Sequence, residues 1–256
     1  MQEYAIGIDV GGTGIKGGLV DLASGELITE RFKFATPDGG EPEDIARTVA
    51  DIVGEIMAAK PTEGSTAPVG VCFPAVVKRG VTLSAANVSK RWIGFEAEKL
   101  FESALSRDIT FVNDADAAGY AEAVYGAAKG EMGSVFMTTL GTGIGTALLY
   151  KGVLIPNLEF GHIIIDGVDW ETKASGVARE REDLSWETWA KRLERYYKTV
   201  EALFNPDLFI VGGGVSKSYE KFLPLITGLR APIIPAQLRN NAGITGAAAL
   251  AGTEVL

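Results

Sequence analysis

Ile6-Gly7-Ile8-Asp9-Val10-Gly11-Gly12-Thr13-Gly14-Ile15-Lys16 is the stretch whose reading decides the fold. Tyr4 to Val10 is an alternating apolar run and reads as a buried strand. In phosphate-binding loops of the strand–helix type the glycines open a helix. Here Ile15 to Asp21 contains Gly17-Gly18 and ends at the turn Leu22-Ala23-Ser24-Gly25, a poor helix and a plausible second strand. The glycines are therefore expected at the tip of a β-hairpin. Gly11, Gly12 and Gly14 carry no Cβ, so backbone N–H groups there can approach an anion closely. With Asp9, Thr13 and Lys16 at its edge, the tip suits a Mg²⁺–phosphate ligand. An ordinary tight hairpin with a solvated aspartate would read the same way, so the decision falls to motifs further along.

The pattern returns. Ser134 to Leu140 reads as a second buried strand, followed by Gly141-Thr142-Gly143-Ile144-Gly145 and another strand, Thr146 to Tyr150. Two such hairpins facing each other would clamp a phosphate chain from both sides. A third glycine run, Gly212-Gly213-Gly214, follows the strand Leu208 to Val211 and precedes a helix expected to begin near Ser216, the arrangement that binds anions or nucleotides. Ile109 to Val112 is a short strand running into Asn113-Asp114-Ala115-Asp116 and an Ala-rich helix. That acidic start reads either as a plain helix cap or as a carboxylate at the mouth of a cleft. Leu158-Glu159-Phe160-Gly161-His162 sets a carboxylate and the chain's only histidine around a glycine. A lone histidine on an apolar run is more often a satisfied core residue. Ser84, Asn87, Ser89, Lys90 and Arg91 form a polar cluster that reads as a loop, and the charged stretch Trp170 to Asp183 as an irregular, solvated face.

The remaining elements are those of an α/β protein. A strand is expected over Glu26 to Phe34 and a helix from Pro42, with Ile45, Val49, Ile52, Val53 and Ile56 on one face. Val69 to Val77 is a strand broken by Pro74, and Phe95 to Ser106 a helix. Ser185 caps an amphipathic helix whose stripe of Trp186, Trp189, Leu193, Tyr196, Val200 and Leu203 is core, ending at Asn205-Pro206. Ile233 to Ala236 is a short strand, and an Ala/Gly-rich helix reaches Ala251. At 256 residues the chain makes one large or two medium domains. A net charge of −9 argues against a nucleic-acid partner and requires any polyanionic ligand to find a local basic patch. A single cysteine, Cys72, excludes an intrachain disulfide framework and any multi-thiolate metal site, and reads as a small buried hydrophobe. No leader and no run long enough to span a bilayer is read at the N-terminus or beyond, so a cytoplasmic protein with no membrane partner is expected.

Taken together the motifs resemble the ROK (repressor, open reading frame, kinase) family of sugar kinases, within the actin/hexokinase-like superfamily. Asp9-Val-Gly-Gly-Thr13 matches the first phosphate motif, Asn113-Asp114 the sugar and base motif, Gly141-Thr-Gly-Ile-Gly145 the second phosphate motif and Gly212-Gly-Gly-Val215 the adenosine motif. Within the family, Ser84-Ala-Ala-Asn87-Val-Ser89, Lys90-Arg-Trp92-Ile-Gly94 and Ala178-Arg-Glu-Arg-Glu182 are similar to its polyphosphate-using glucokinases. The resemblance implies an α/β, two-lobed actin-like ATPase (ribonuclease H-like) fold with a central cleft. One lobe would take residues 1–113 plus 241–256, the other 114–240.

It further implies a hexokinase-type phosphotransferase making glucose 6-phosphate, and mannose 6-phosphate, from inorganic polyphosphate and/or ATP with Mg²⁺. Asp114 would be the general base, while Asn87, Asn113, Glu159 and His162 would hold sugar hydroxyls. Asp9 would serve the metal. Gly11, Gly12, Thr13, Gly14, Lys16, Gly141, Thr142 and Gly143 would hold phosphates, and Gly212, Gly213 and Gly214 the nucleotide. Many family members bind zinc through the motif histidine and a downstream cysteine cluster; this chain has none, so His162 is expected to face a sugar hydroxyl directly. That change leaves Glu171 and Glu180 both open as a further sugar carboxylate. Family kinases are often dimers, so a homodimer is possible. The competing expectations are an ATP-only sugar kinase, a sugar-sensing regulator, which would need a DNA-binding extension before the hairpin, and an actin-like ATPase lacking the Glu159/His162 set.

Overall fold

The computed structural model describes residues 2–253. The chain forms two compact units, residues 1–121 with 241–256 and residues 122–240. In the first, the strands Tyr4–Val10 and Gly14–Asp21 pair antiparallel in the predicted hairpin, from Tyr4 opposite Asp21 to Val10 opposite Ile15. Phe32–Ala35 extends the antiparallel side, while Val69–Phe73 and then Ile109–Asn113 add parallel strands on the other side of Tyr4–Val10. The second unit repeats this plan. Ser134–Leu140 and Ile144–Tyr150 form the hairpin, Val153–Ile155 lies outside it, and Leu208–Gly212 and Ile233–Pro235 run parallel on the far side. The internal repeat thus extends from the hairpins to two entire five-stranded mixed sheets.

Each sheet is buried by helices with apolar stripes. Pro42–Ala59 turns Ile45, Val49, Ile52 and Ile56 onto the first sheet, all fully buried, and its acidic first turn, Glu43 and Asp44, suits the helix dipole. Trp186–Phe204 does the same for the second sheet through Trp189, Leu193, Tyr196 and Val200, with Ser185 Oγ accepting the Thr188 N–H at 3.2 Å as its cap. The terminal helix Ala242–Gly252 lies almost backbone to backbone on the first sheet. A Cβ at Gly7 would stand 1.9 Å from Ile244 O and one at Gly70 1.9 Å from Ala247 O, so both strand positions require glycine.

Several local expectations are corrected. The strand expected over Glu26 to Phe34 begins only at Phe32; before it, Leu27 makes a single bridge to Val20, and the Thr29 hydroxyl takes the Leu19 N–H at 3.1 Å in place of a backbone carbonyl. The helix expected from Phe95 starts at Ala97, because Phe95–Glu96 joins a small ribbon with Val77–Lys78 and Val81–Thr82. The charged stretch after Trp170 is not irregular: Glu171–Ala174 and Gly176–Arg181 are short helices, the latter capped by Ser175 Oγ on the Ala178 N–H. After Gly213 the chain enters tight three-residue helical turns over Gly214–Lys221, two residues sooner than expected. Among the described residues no helix is long and apolar enough to cross a membrane.

Candidate active site

The first unit gathers its candidate residues at the carboxyl ends of its parallel strands. Asp9 is level with Cys72, and Cys72 with Val112, so Asp9 and the Asn113-Asp114 pair lie at the same edge of the sheet. Asp9 sits directly across the hairpin from Lys16, whose Nζ lies 3.1 Å from Oδ2. Its Oδ1 faces the Cys72 Sγ at 3.8 Å. Burial, with the Asp9 charge second, pushes the Cys72 thiol well up, so it is a neutral neighbour. At the tip, the Gly11 N–H donates inward to Gly14 O at 3.1 Å and closes the turn. Gly11 therefore shapes the hairpin, and Gly12 and Thr13 are the exposed residues of the tip. Asn87, in the left-handed region at φ 60°, backs onto this tip: a Cβ on Gly12 would come within 2.6 Å of the Asn87 Cβ.

Asn113 takes the helix-cap role that the sequence left open at this strand end. The Asn113 Oδ1 accepts the N–H groups of Ala115 at 2.8 Å and Asp116 at 3.0 Å, and its Nδ2 donates to Ala75 O at 3.0 Å. This buried amide is the helix cap, with one Nδ2 proton left for a ligand. Asp114 opens the helix Asp114–Val124, half-buried, with Oδ1 on the Ala115 N–H at 2.8 Å.

The second unit builds a denser cluster. Gly161 presses against the start of the returning hairpin strand, where a Cβ would stand 2.0 Å from Ile144 O. The Thr146 hydroxyl donates to Leu158 O at 2.5 Å and accepts the Phe160 N–H at 3.2 Å, and Tyr196 OH donates to Phe160 O at 3.1 Å. The Glu159-Phe-Gly-His162 turn is fixed on the second glycine hairpin by these bonds. Glu171 arrives from its own short helix: Oε2 accepts the Ile144 N–H at 2.7 Å and Oε1 lies 3.9 Å from His162 Nε2. Partial desolvation lifts the Glu159 carboxyl above the ordinary glutamate value even though the side chain faces solvent; His162 opposes the shift and Glu171 adds to it.

His162 uses one ring nitrogen within the protein and leaves Nε2 toward Glu171. Its Nδ1 is 2.9 Å from Asp169 Oδ2, and that hydrogen bond is the main cause of its raised pKa, with Glu171 adding to it. Asp169 went unread in the sequence because it lies beside a charged run. Its one signal was its place directly before Trp170-Glu171, ahead of the short helix, where its Oδ1 takes the Glu171 N–H at 3.1 Å. Of the two open glutamates, Glu171 joins this cluster and Glu180 stays exposed.

On its other flank the second hairpin meets the third glycine run. Gly141 N–H closes its own turn on Gly143 O at 3.0 Å, and Gly141 O accepts the Val177 N–H at 3.1 Å. Gly213, at φ 80°, lies so close to Leu140 that a Cβ would stand 2.4 Å from its carbonyl oxygen. Gly176 in turn touches Val215. Thr142, exposed at the tip, and Gly143 beside it are the outward part of this turn. Among the described residues no group of three or more His, Cys, Asp or Glu side chains could hold a metal ion.

The ROK family model matches residues 5–182. The chain is 45% identical to a polyphosphate glucokinase of Mycobacterium tuberculosis over 96% of its own length and 91% of that protein. It is 53% identical to the solved inorganic polyphosphate/ATP-glucomannokinase of Arthrobacter sp. strain KM, with a TM-score of 0.91 and 96% of each chain covered. A ROK family glucokinase from Streptomyces griseus, solved with glucose and AMPPNP, superposes at a TM-score of 0.80 with 26% identity, covering 97% of this chain and 99% of that one. The repeated mixed sheets are therefore those of the actin-like ATPase fold, and the family match runs through both glycine hairpins. This chain belongs to the ROK family.

Proposed function

We propose that the chain is a hexokinase-type phosphotransferase that makes glucose 6-phosphate, and mannose 6-phosphate, from inorganic polyphosphate or ATP. The observation that carries this reading is the close likeness, over nearly the whole length, to proteins named for polyphosphate- and ATP-dependent sugar phosphorylation. The local geometry supports it: Glu159, His162 and Glu171, polar groups suited to sugar hydroxyls, are fixed on the same hairpin as Gly141-Thr142-Gly143.

Phosphoryl transfer depends on positioning and charge neutralisation more than on covalent chemistry by the protein. In this reading Glu159, His162 Nε2, Glu171, Asn87 and the remaining Asn113 proton orient the sugar. Asp114 accepts the proton of its 6-hydroxyl as that oxygen bonds the terminal phosphorus and the P–O bridge to the rest of the donor breaks, releasing ADP or a polyphosphate one unit shorter. The N–H groups of Gly12, Thr13 and Gly143, the Thr13 and Thr142 hydroxyls and Lys16 hold donor phosphates, and Gly212 to Gly214 face the nucleotide when ATP is the donor. A kinase of this kind uses a divalent metal, and one carboxylate with no ligand cage fits an ion held mainly by water and donor phosphates. We assign Asp9 as that carboxylate and Mg²⁺ as the ion, whose contribution when bound is to neutralise phosphate charge. The test is a coupled assay crossing glucose, mannose, fructose and N-acetylglucosamine with ATP and polyphosphate. Turnover of glucose and mannose with polyphosphate is expected; turnover with ATP alone would reduce the chain to an ordinary ATP hexokinase.

A further inference from the structure

The Asp9 carboxylate already holds a cation. Asp9 and Lys16 are paired across adjacent strands of the first hairpin, 3.1 Å apart, with side chains 18% and 28% exposed. Other approaches to Asp9 are partly walled: Cys72 Sγ lies on Oδ1, and a Cβ at Gly243 would come 3.0 Å from Asp9 Cγ. A divalent ion reaching for Oδ2 must therefore take the place of the Lys16 ammonium or share the oxygen with it, and two cations on one half-buried carboxylate oxygen repel. Lys16 has a flexible four-carbon stem and is the third residue of the strand Gly14–Asp21 that leaves the glycine tip, so donor phosphates arriving at that tip can draw its ammonium away.

We propose that Lys16 is a resident counter-cation that keeps divalent metal off Asp9 until a phosphate donor arrives, so that metal enters the site only with the donor. The inference rests on the assignment of Asp9 as the metal-side carboxylate. It gives Lys16 two alternating partners: Asp9 in the resting enzyme and donor phosphate in the loaded one. The exchange also keeps the carboxylate neutralised throughout, which a half-buried charge needs.

The experiment follows free Mn²⁺ by electron paramagnetic resonance while the metal is titrated into the full chain without donor. Wild type is expected to bind Mn²⁺ only weakly and without saturation, and Lys16→Met to gain one saturable site at least about tenfold tighter than that background, as expected when a neighbouring positive charge is removed. Asp9→Asn in the Lys16→Met background should abolish the gained site. Donor-free wild type binding one Mn²⁺ per chain as tightly as Lys16→Met would overturn the proposal, and so would a folded Lys16→Met that gains no site. If Lys16→Met does not fold by circular dichroism, Lys16→Gln replaces it, and a saturable donor-free site in wild type still overturns the proposal. Glucose 6-phosphate formation is scored separately. Its presence alongside donor-free Mn²⁺ binding sinks only the ordering, whereas its absence with every donor sinks the kinase reading.

Discussion

The Glu171 carboxylate accepts the backbone N–H of Ile144 at 2.7 Å, on the first residue of the strand that leaves the second glycine hairpin. A residue proposed to hold sugar is thereby bonded to the backbone next to the Gly141-Thr142-Gly143 turn proposed to hold phosphate. A Cβ on Gly143 would stand 2.4 Å from the same Oε2, so the carboxylate is packed against the turn itself.

Glu171→Ala should then disturb both substrates. It removes a sugar partner and leaves the Ile144 N–H without its acceptor. Steady-state kinetics should show the glucose KM rising by about tenfold or more, the scale of a lost charged hydrogen bond, with a smaller rise in the donor KM. Glu171→Gln, which keeps an acceptor for Ile144, should restore the donor KM and not the glucose KM. Equal recovery of both would place Glu171 in a purely structural role.

His162 offers a pH test. As the chain's only histidine it can be followed by NMR without assignment work. The Asp169 hydrogen bond favours the imidazolium, so its midpoint should lie above the ordinary value of about 6.5. A pKa raised on folding means that stabilisation from the pair is complete below the unfolded midpoint and fades as pH rises through the folded one. Asp169→Asn should lower the midpoint and flatten that part of the stability profile. An unchanged midpoint would show that the contact is not formed in solution.

The Asn113–Asp114 pair separates stability from chemistry. Asn113→Ala removes the one oxygen that accepts both capping N–H groups and should cost about 1 kcal/mol in urea unfolding, the usual worth of a helix cap. Asp114→Asn leaves that cap intact and should unfold close to wild type. If Asp114→Asn is the more destabilised of the two, Asp114 rather than Asn113 is the main cap.

How far the sequence carried the reading follows from the kind of signal each feature leaves. The hairpins were legible because apolar alternation broken by glycines leaves few other folds, and the helices from Pro42 and Trp186 because their stripes keep helical spacing. The extension of the repeat to whole sheets was not legible: it lies in which strand pairs with which, and Val69–Phe73 and Leu208–Gly212 share no obvious sequence. The His162–Asp169 bond was missed because seven residues and a small ribbon, Ile164–Ile165 with Val168–Asp169, fold back to join them. Which of Asn113 and Asp114 caps the helix was not legible, because both residue types cap helices and only the direction of each side chain decides.

Charge partners also narrow where a long polyanion can be held. Among the cations near the glycine hairpins and the motifs beside them, Arg91 is bound to Glu41 and Glu43, Arg181 to Glu182 and Lys16 to Asp9. Arg179 instead stacks 3.7 Å from the Trp186 ring centroid, on the helix that touches Gly141. Polyphosphate held through such exposed charges should be salt-sensitive, since screening acts within about 8 Å at physiological ionic strength. Its apparent KM should rise more steeply with added salt than that of Mg-ATP. Parallel salt dependence would argue that both donors use only the hairpin tips.

Direct transfer from polyphosphate to a sugar hydroxyl, with Asp114 as base, can be followed by the phosphorus signals of donor and product. Phosphorus NMR of wild type with glucose, Mg²⁺ and polyphosphate should show glucose 6-phosphate appearing as the polymer shortens. The same reaction with folded Asp114→Asn should be slower by about 100-fold or more, the range of a lost general base. No sugar phosphate from wild type, or an Asp114→Asn variant as fast as wild type, would contradict it.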